Sequence, residues 1–408
     1  VYMSDTQDKY GSLLEYYPDI DRNRRSIHDC LQQAGTPVFI CDREILQDRY
    51  HQMKDSLARH WGPHVIGYSF KTNYLVARSR IFQDLGGWAE VVSAREYDLA
   101  RSLGFAGTSI IINGPHKPEE SLKLAISDGA IINVNDQDEL DRLSVLSSCA
   151  KGTVDIGIRL GMNLPALGQS RFGFSLENDE ALLAIDSIRS MPGFRLAGLH
   201  AHLHGDTDDP DIYQVAATRV AEFLVQHLPD RASQLRYLDM GGGFPAHTPK
   251  PKSRSKWNPR PIDEYIQAIA NGLKIAFDDQ VQVPALVVEP GRYLTCDGIV
   301  LVTRVVLVKE RDGVQIVNSD GSISMVPLTH YIPQIILPFS PELFAREGAG
   351  IQTIIYGSAC RENDVLYEGA FPPVQCGDYL IHFAAGAYNS SMSPDFIFEP
   401  PGMKVIQA

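Results

Sequence analysis

The sequence predicts a closed (β/α)8 barrel followed by an antiparallel β-domain, and three observations carry this prediction. Short apolar, β-branched runs alternate eight times with segments of helical spacing across residues 65–289. After residue 295, strand-like runs joined by Gly/Pro turns follow one another with little helix between them. The length of 408 residues suits two domains. We expect residues 44–295 to form the barrel, and residues 1–43 with 296–408 to form the β-domain.

The eight runs are the basis for a barrel rather than an open sheet. Strands that alternate with helices of about 10–15 residues indicate βαβ units and a parallel sheet. Eight such units in succession favour closure, and an open doubly wound sheet is the alternative that the pattern leaves. The strands are expected to begin near Val65, Trp88, Ser109, Ala130, Val154, Leu196, Arg236 and Ala285.

The β-domain is predicted from five runs in the last third of the chain and one near its start. The run at 36–42 (TPVFICD) precedes the barrel and is expected to join this domain. A stretch rich in Pro and in Lys/Arg, residues 247–261, interrupts the barrel after its seventh strand. We interpret it as a solvated loop, with an active-site lid or a contact for an acidic partner as the alternatives. The five later runs are 299–309, 313–318, 351–356, 378–383 and 403–406.

Composition excludes several classes of protein. A formal net charge of −13 disfavours nucleic acid or an anionic membrane surface as the main partner. No apolar run approaches the ~20 residues that span a bilayer, and the polar first residues do not resemble a signal peptide. The six cysteines are scattered without a C-x-x-C pair. We therefore expect no disulfide framework, no metal site and a cytoplasmic location.

Candidate functional residues follow the predicted strands, because barrel enzymes carry their catalytic groups at the C-terminal strand ends. A glycine triplet lets backbone N–H groups approach an anion, and an arginine adds charge-assisted hydrogen bonds. A lysine at the barrel mouth loses its charge when it forms a Schiff base. Taken alone, a glycine triplet is more often a turn and a buried histidine more often a core residue. Together the residues indicate a phosphorylated cofactor held by a lysine: Lys71, Glu90, Asn113, Arg159, His202, Gly241, Gly242, Gly243, Glu289 and Arg292.

Eight motifs, in order, resemble the fold-type III decarboxylases that depend on pyridoxal phosphate (PLP). This is the family of diaminopimelate, ornithine and arginine decarboxylases. The motifs extend over roughly residues 35–400, which is nearly the whole chain. They are YSFKTN (68–73), NGPHK (113–117), SRFGF (170–174), HAHLHGD (200–206), MGGGFP (240–245), EPGRY (289–293), GSACREND (357–364) and GAYNSSMS (386–393).

The resemblance implies a role for each motif residue. Lys71 carries the cofactor as a Schiff base, His202 stacks on the pyridine ring, and Glu289 pairs with the protonated pyridine nitrogen. Cys360 matches the acid that the partner subunit of a homodimer supplies, and this acid protonates the substrate carbon after CO2 leaves. Glu90 and Arg159 brace the cofactor, and the residues that hold the phosphate are Gly241, Gly242, Gly243, Gly291, Arg292 and Tyr388.

The substrate site departs from the family pattern. Diaminopimelate and ornithine enzymes place Glu or Asp after the active-site cysteine, where it receives a substrate ammonium, whereas this chain has Arg361. Like charges in a partly dehydrated pocket repel each other. The stretch aligned with the Arg-Pro pair of diaminopimelate enzymes is Met-Val-Pro (325–327), so that arginine is absent too. The sequence therefore argues against diaminopimelate as the substrate.

We expect instead a small amino-acid-like substrate with an anionic or neutral tail, contacted by Arg361 and by Tyr388. Examples are a citrate-conjugated or carrier-bound amino acid in siderophore or secondary-metabolite biosynthesis. The alternative is a loop shifted by one residue, in which Glu362 faces the amine of a basic amino acid such as ornithine, lysine or arginine.

Two other functions compete with decarboxylation. Amino-acid racemases share the fold, but they need a tyrosine as second base and an arginine against the pyridine nitrogen, where this chain has Glu289. An inactive regulatory homologue would be expected to lose site residues, yet Lys71, Arg292, Cys360 and Tyr388 are all present. Decarboxylation is therefore the favoured prediction.

Overall fold

A computed structural model describes residues 23–146, 152–203, 205, 207–246, 259–278, 280, 282–332, 334–339 and 350–407. The chain divides into two compact units, each described here by itself. The barrel unit comprises residues 47–245 and 259–291, and the β-unit comprises residues 1–46, 246–258 and 292–408. Most of the basic stretch 247–261 lies outside the described residues, so its interpretation as a loop or lid stays a prediction.

The chain enters the barrel after helix α1 (Arg24–Ala34), strand β1 (Val38–Asp42) and helix α2 (Arg43–His60). The barrel strands are β2 (His64–Ser69), β3 (Trp88–Val91), β4 (Ile110–Ile112), β5 (Ile131–Val134) and β6 (Val154–Gly161). They continue, after the short β7 (Asn163–Leu164), β8 (Gly168–Gln169) and β9 (Phe174–Ser175), with β10 (Phe194–His200), β11 (Tyr237–Asp239) and β12 (Ala285–Val288).

The eight long strands form a closed parallel barrel. Their order is β10-β11-β12-β2-β3-β4-β5-β6, and β6 pairs back to β10 in parallel register from Val154↔Phe194 to Arg159↔His200. This last pairing excludes the open-sheet alternative, because an open sheet has two unpaired edges. The fold predicted from the alternating pattern is confirmed.

Helices alternate with the strands around the barrel, and local sequence signals set their ends. Helix α4 (Ala94–Ser102), for example, begins after Ser93. The Oγ of Ser93 accepts the N–H of Glu96 at 3.2 Å, and Oε2 of Glu96 accepts the N–H of Val92 at 2.8 Å. No described helix is long and apolar enough to cross a bilayer. The helices are α3 (Val76–Asp84), α4 (Ala94–Ser102), α5 (Glu119–Asp128), α6 (Gln137–Leu146), α7 (Glu180–Ser190), α8 (Pro210–His227), α9 (Arg231–Gln234) and α10 (Ile262–Lys274), with α11 (Arg292–Thr295) opening the next part of the β-unit.

The barrel interior is layered along the strands. Ile111, Ala197, Tyr237 and Val287 pack into one cluster, with Trp88 and other half-buried residues against it. Side chains two positions apart on a strand share a face. The residues two positions further on form a second, polar layer nearer the C-terminal strand ends: Glu90, Asn113, Asn133, Asp239 and Glu289.

The β-unit is one curled sheet of eight strands, which contains strands in all five of the predicted later runs and in the run before the barrel. β1 pairs antiparallel with β13 (Ile299–Arg311), for example at Val38↔Val302, and parallel with β19 (Met403–Ile406). The core of this unit contains Ile27 and Leu31 of α1, packed among the sheet's apolar residues. The other strands are β13 (Ile299–Arg311), β14 (Val314–Ser319), β15 (Ile336–Phe339), β16 (Ile351–Tyr356), β17 (Val365–Phe371), β18 (Tyr379–His382) and β19 (Met403–Ile406).

Two features of this sheet differ from the expectation. The pairs β14–β16 and β1–β19 are parallel, so the sheet is mixed, although its other pairings are antiparallel. The strands β15 and β17 were not among the predicted runs. The order of the main path is β15-β18-β13-β14-β16-β17.

Candidate active site

Lys71 stands at the mouth of the barrel, in the single turn Phe70–Thr72 that follows β2. Its Nζ lies 2.7 Å from Oε2 of Glu90 at the end of β3, and the Oγ of Ser69 donates to the same oxygen at 2.6 Å. The side chain of Lys71 is 30% exposed, whereas that of Glu90 is 1% exposed. A half-exposed amine is thus held by a buried carboxylate.

Glu289, directly after β12, is the central buried acid of the site. The Nδ2 of Asn113 donates to Oε1 of Glu289 at 2.5 Å and to Oε1 of Glu90 at 3.0 Å. The Nδ1 of His202 lies 3.2 Å from Oε2 of Glu289. Burial alone would raise the pKa of Glu289, but the adjacent imidazoles of His200 and His202 outweigh it and hold that pKa well below its usual range. Glu289 is therefore a carboxylate.

Two histidines flank this acid: His200 is the last residue of β10, and His202 lies two residues further on. Burial lowers the pKa of His202, and it lowers the pKa of His200 to about 4, so both rings are neutral near pH 7. The Nε2 of His200 lies 3.6 Å from Oε2 of Glu289. Within the described ranges, these two histidines and Glu289 also place three potential metal-ligand atoms within 4.8 Å of one another. We assign the group to the cofactor site below, and the absence of a metal stays a prediction.

The glycine triplet after β11 forms a tight loop against His202. Gly241 has φ +64°, and its N–H donates to Oδ1 of Asp239 at 2.9 Å. The N–H of Gly242 donates to Nδ1 of His202 at 3.2 Å. A Cβ on Gly242 would strike the main-chain oxygen of Glu289, so only glycine fits there. Gly243 has φ +85°, and Gly291 lies so close to Thr72 that a Cβ would collide with the threonine Oγ1.

Arg159 adds a positive charge to this acidic layer. It lies near the end of β6, and its guanidinium carbon is 4.5 Å from the ring centre of Phe172. Burial lowers the pKa of Arg159, while the charges of Glu289, Glu90 and Asp239 oppose that shift. Arg159 therefore offsets part of the negative charge around Glu289.

The structure adds three residues that the sequence analysis missed: Asn133, His200 and Asp239. Burial, together with the charge of Glu289, raises the pKa of Asp239 well above its usual range, so this acid is held protonated beside an ionised one. The signal that could have found Asn133 and Asp239 is the strand alternation. Each lies two residues after an inward apolar residue, as Glu90 and Glu289 do.

In the β-unit, Arg292 and Tyr388 lie together. The guanidinium carbon of Arg292 is 5.0 Å from the ring centre of Tyr388. Tyr388 has φ +58°, a left-handed conformation that a bulky residue adopts only where its surroundings impose it. Such strained residues are typical of binding sites.

Cys360, Arg361 and Glu362 lie on the loop between β16 and β17 of the same unit. Cys360 and Glu362 are exposed, and Arg361 is half-buried. The Nε of Arg361 donates to Oδ1 of Asn363 at 2.6 Å. Asp364 closes the loop, because its carboxylate accepts N–H groups from Ala359 at 2.8 Å and from Ile323 at 2.7 Å.

The barrel residues fit PLP, and each part of the fit rests on an observed contact. Lys71 offers an amine next to a proton acceptor, Glu90. Glu289 offers a buried carboxylate suited to a protonated ring nitrogen, and His202 beside it offers a flat imidazole. The loop at Gly242 leaves space that only glycine allows, as close approach to a phosphate requires. The fold and this set of residues define a PLP-dependent enzyme built on a (β/α)8 barrel.

Comparison with known proteins gives the family. A model described as the pyridoxal binding domain of pyridoxal-dependent decarboxylases matches residues 43–296. The chain belongs to this family, and it is a PLP-dependent amino-acid decarboxylase.

Two relatives align in sequence with most of this chain. The diaminopimelate decarboxylase of Aquifex aeolicus is 24% identical over 411 residues, which cover 98% of this chain and 93% of that protein. The diaminopimelate decarboxylase of Actinosynnema pretiosum subsp. auranticum is 27% identical over 388 residues, which cover 90% of this chain and 83% of that protein.

Solved structures show the same fold. The diaminopimelate decarboxylase of M. jannaschii superposes with a TM-score of 0.81 at 23% identity. The match covers 92% of this chain and 88% of the M. jannaschii chain. A lysine/ornithine decarboxylase from Vibrio vulnificus, complexed with cadaverine, has a TM-score of 0.79 at 22% identity and covers 94% of this chain and 98% of its own.

Proposed function

We propose that this decarboxylase removes the α-carboxylate of an amino acid, or an amino-acid conjugate, whose tail is anionic or neutral. A citrate-conjugated or carrier-bound amino acid of siderophore or secondary-metabolite biosynthesis is the kind of substrate that fits. The observation that carries the proposal is Arg361, which directly follows Cys360.

The surroundings of Arg361 support a role as receptor for an acceptor group. Its Nε is engaged by the neutral Asn363, and no carboxylate among the described residues forms an ion pair with it. A guanidinium binds a carboxylate through two parallel N–H groups, which makes arginine a specific receptor for such a tail. A substrate ammonium placed there would meet a like charge.

We assign the catalytic roles to four residues. Bound PLP delocalises the electron pair that remains on the substrate carbon when CO2 leaves. Lys71 holds the cofactor covalently, and Oε2 of Glu90, 2.7 Å from its Nζ, accepts the proton that the amine gives up. Glu289, as a carboxylate, keeps a proton on the ring nitrogen. Cys360 delivers a proton to the substrate carbon.

The remaining assignments concern the cofactor's ring and phosphate. We propose that His202 stacks on the ring and that Arg159 supplies positive charge beside the buried acids. The backbone of the glycine loop binds an anion without a side chain in the way. The proposed phosphate residues are Gly241, Gly242, Gly243, Gly291, Arg292 and Tyr388.

The second candidate is a basic amino acid. Two observations favour it: the exposed carboxylate of Glu362 next to Arg361, and the relatives, which are named diaminopimelate and lysine/ornithine decarboxylases. In this alternative Glu362 receives the substrate ammonium and Arg361 does not contact the substrate.

A substrate panel with two matched variants separates the candidates. CO2 release is measured with ornithine, lysine and diaminopimelate, and with citryl conjugates of diamino acids. We expect the wild type to prefer the conjugates, Arg361→Gln to lose that preference by about tenfold or more, and Glu362→Gln to keep it. Efficient turnover of free lysine or ornithine, lost in Glu362→Gln and retained in Arg361→Gln, would establish the alternative.

We also propose a cytoplasmic homodimer in which Cys360 serves the partner subunit's site. Cys30, Cys360 and Cys376 are free thiols, as in a reducing compartment. The division into a PLP-binding domain (44–295) and a β-domain (1–43 with 296–408) belongs to the same proposal. The mixing experiment described in the Discussion tests the shared site.

A further inference from the structure

A chain of hydrogen bonds crosses the barrel interior and ends on two of the buried acids of the site, Glu289 and Glu90. The hydroxyl of Tyr237 on β11 donates to Oδ1 of Asn133 on β5 at 2.8 Å. The Nδ2 of Asn133 donates to Oδ1 of Asn113 at 3.0 Å. The Nδ2 of Asn113 donates to Glu289 and to Glu90. We call these three residues, Tyr237, Asn133 and Asn113, the relay.

The relay has one direction. A side-chain amide has a carbonyl oxygen that only accepts and an NH2 group that only donates. Because Tyr237 donates to the oxygen of Asn133, the NH2 group of Asn133 must face Asn113. The oxygen of Asn113 is thereby occupied, and its NH2 group has to face the two carboxylates.

Two glycines in the barrel strands leave the space that the relay occupies. Gly157 on β6 and Gly198 on β10 lie against the tyrosine. A Cβ on Gly198 would strike the ring of Tyr237, and a Cβ on Gly157 would strike its hydroxyl and the amide of Asn133. The three relay residues are at most 4% exposed. Because these residues are buried from water, the loss of a relay bond leaves a polar group without a partner, which is costly.

Each of the two acids at the end of the relay directs one carboxylate oxygen to Asn113 and the other to a second residue of the site. Glu289 gives Oε1 to Asn113 and turns Oε2 towards His202. Glu90 gives Oε1 to Asn113 and turns Oε2 towards Lys71. A donor between two carboxylates also offsets their mutual repulsion.

We propose that Tyr237 and Asn133 are positioning residues, which lock the Asn113 amide so that it holds Glu289 and Glu90 as a pair of oriented carboxylates. Through Glu289 the relay keeps the proton on the ring nitrogen of PLP, and through Glu90 it keeps the acceptor for Lys71 in place. This inference rests on the roles proposed above for Lys71, Glu90 and Glu289.

Two nearly isosteric variants and one control test the relay. Tyr237→Phe removes only the hydroxyl, so Oδ1 of Asn133 loses its donor, and Asn133 is held only through its Nδ2, which donates to Asn113 and, at 3.3 Å, to Oδ2 of Asp239. Asn133→Asp keeps the size but replaces the NH2 group by an acceptor, which reverses the polarity of the relay. Tyr97→Phe is the control, because Tyr97 is equally buried and donates to Asp128 at 2.9 Å on a surface helix. The readouts are the Kd for PLP, thermal denaturation of the PLP-free protein, and the 15N shift of ring-labelled PLP against pH.

We expect the Kd for PLP to rise about tenfold in Tyr237→Phe and further in Asn133→Asp. The ring nitrogen should lose its proton at a pH lower by about one unit in Tyr237→Phe, since one hydrogen bond to the pair is weakened. Tyr97→Phe should change thermal denaturation alone. If Asn133→Asp does not fold, Tyr237→Phe carries the test by itself.

The outcomes separate the relay from the site. A protonated ring nitrogen in the wild type, with Tyr237→Phe indistinguishable from Tyr97→Phe in Kd and 15N titration, overturns the relay and leaves the role of Glu289 standing. A ring nitrogen without a proton in the wild type overturns both.

Discussion

Lys71 Nζ and Glu90 Oε2 lie 2.7 Å apart, and the lysine is half-exposed while the acid is buried. A buried carboxylate is costly unless it is paired and hydrogen-bonded, and Glu90 has Lys71, Ser69 and Asn113 around it. An amine that forms a covalent bond must first lose its proton, and Oε2 of Glu90 is within reach to accept it. The contact therefore compensates the buried charge of Glu90, and in the proposed mechanism it also activates the amine of Lys71.

Replacement of the lysine gives the most direct test of this pair. Lys71→Ala should abolish covalent attachment of PLP and lower turnover by at least about a hundredfold, because the amine that forms the covalent link disappears. Borohydride reduction followed by mass spectrometry measures the attachment. Lys123→Ala is the control, since Lys123 forms its ion pairs with Glu119 and Glu120 on a surface helix. Attachment retained in Lys71→Ala would refute the assignment.

Alternation along the strands made much of this site predictable. Glu90 lies near the end of an apolar run, Asn113 and Glu289 directly follow such runs, and the barrel brings the ends of these runs together. Asn133 and Asp239 end comparable runs, yet an amide and a short acid near turns are also typical of loops, so their inward position was not evident. The relay from Tyr237 depends on space left by glycines on other strands, which single-strand patterns do not encode.

β15 and β17, the two strands that the sequence did not predict, each contain residues that weaken the sequence pattern of a strand. β15 contains Pro338, which has no N–H for a ladder, and a proline of this kind is tolerated because, among the described residues, β15 pairs with β18 alone and forms the edge of the sheet. β17 contains Gly369 with φ +158° beside Glu368, and glycine and charge both weaken the pattern of a strand. Pairing with neighbours distant in sequence decides both strands.

The cysteine prediction concerns proton delivery. Cys360→Ala should slow turnover by about a hundredfold and divert part of it to transamination, because the substrate carbon lacks its proton donor. Product analysis for amine and for pyridoxamine phosphate measures the two routes. Cys376→Ala is the matched control, an exposed cysteine of the same unit.

Mixing inactive variants tests whether Cys360 serves the partner subunit. Lys71→Ala and Cys360→Ala, once denatured and refolded together, should regain activity if each site takes its lysine from one subunit and its cysteine from the other. No recovery, although mixed dimers form, would contradict the shared site.

The glycine loop can be tested for steric necessity. Gly242→Ala should weaken PLP binding and destabilise the protein by about 1–3 kcal/mol, since its Cβ collides with the main-chain oxygen of Glu289 and both backbones must move. Gly402→Ala, with nothing within 4 Å of its Cβ, is the control. Equilibrium binding of PLP and urea denaturation measure the two effects. An unchanged affinity for PLP and an unchanged free energy of unfolding in Gly242→Ala would show that the loop can accommodate a Cβ.

Glu96 should make the protein less stable at alkaline pH. Burial raises its pKa to about 7 from a usual value of 4.5, so the native state holds a proton that the unfolded chain has lost between these pH values. Stability should therefore fall as pH rises from 4.5 to 7. Glu96→Gln, which still accepts the N–H of Val92, should be more stable at pH 8 by roughly 1–3 kcal/mol. Urea denaturation at pH 5 and 8, with the exposed Asp98→Asn as control, measures this.

The last prediction concerns His382, which lies in the core of the β-unit with its Nε2 3.1 Å from Oγ1 of Thr303. Burial lowers its pKa to about 3, so between pH 3 and 6.5 the unfolded chain binds a proton that the native ring does not. Stability from this residue is complete above pH 6.5 and is lost as pH falls towards 3, by up to roughly 5 kcal/mol.

His382→Leu removes that dependence, although loss of the bond to Thr303 lowers stability by about 1 kcal/mol at every pH. The difference in unfolding free energy between pH 7 and pH 4 should therefore be smaller in His382→Leu than in the wild type. In His330→Leu, which alters an exposed histidine of the same unit, it should match the wild type. Equal differences in all three proteins would mean that His382 accepts a proton without unfolding, and that its burial does not contribute to acid sensitivity.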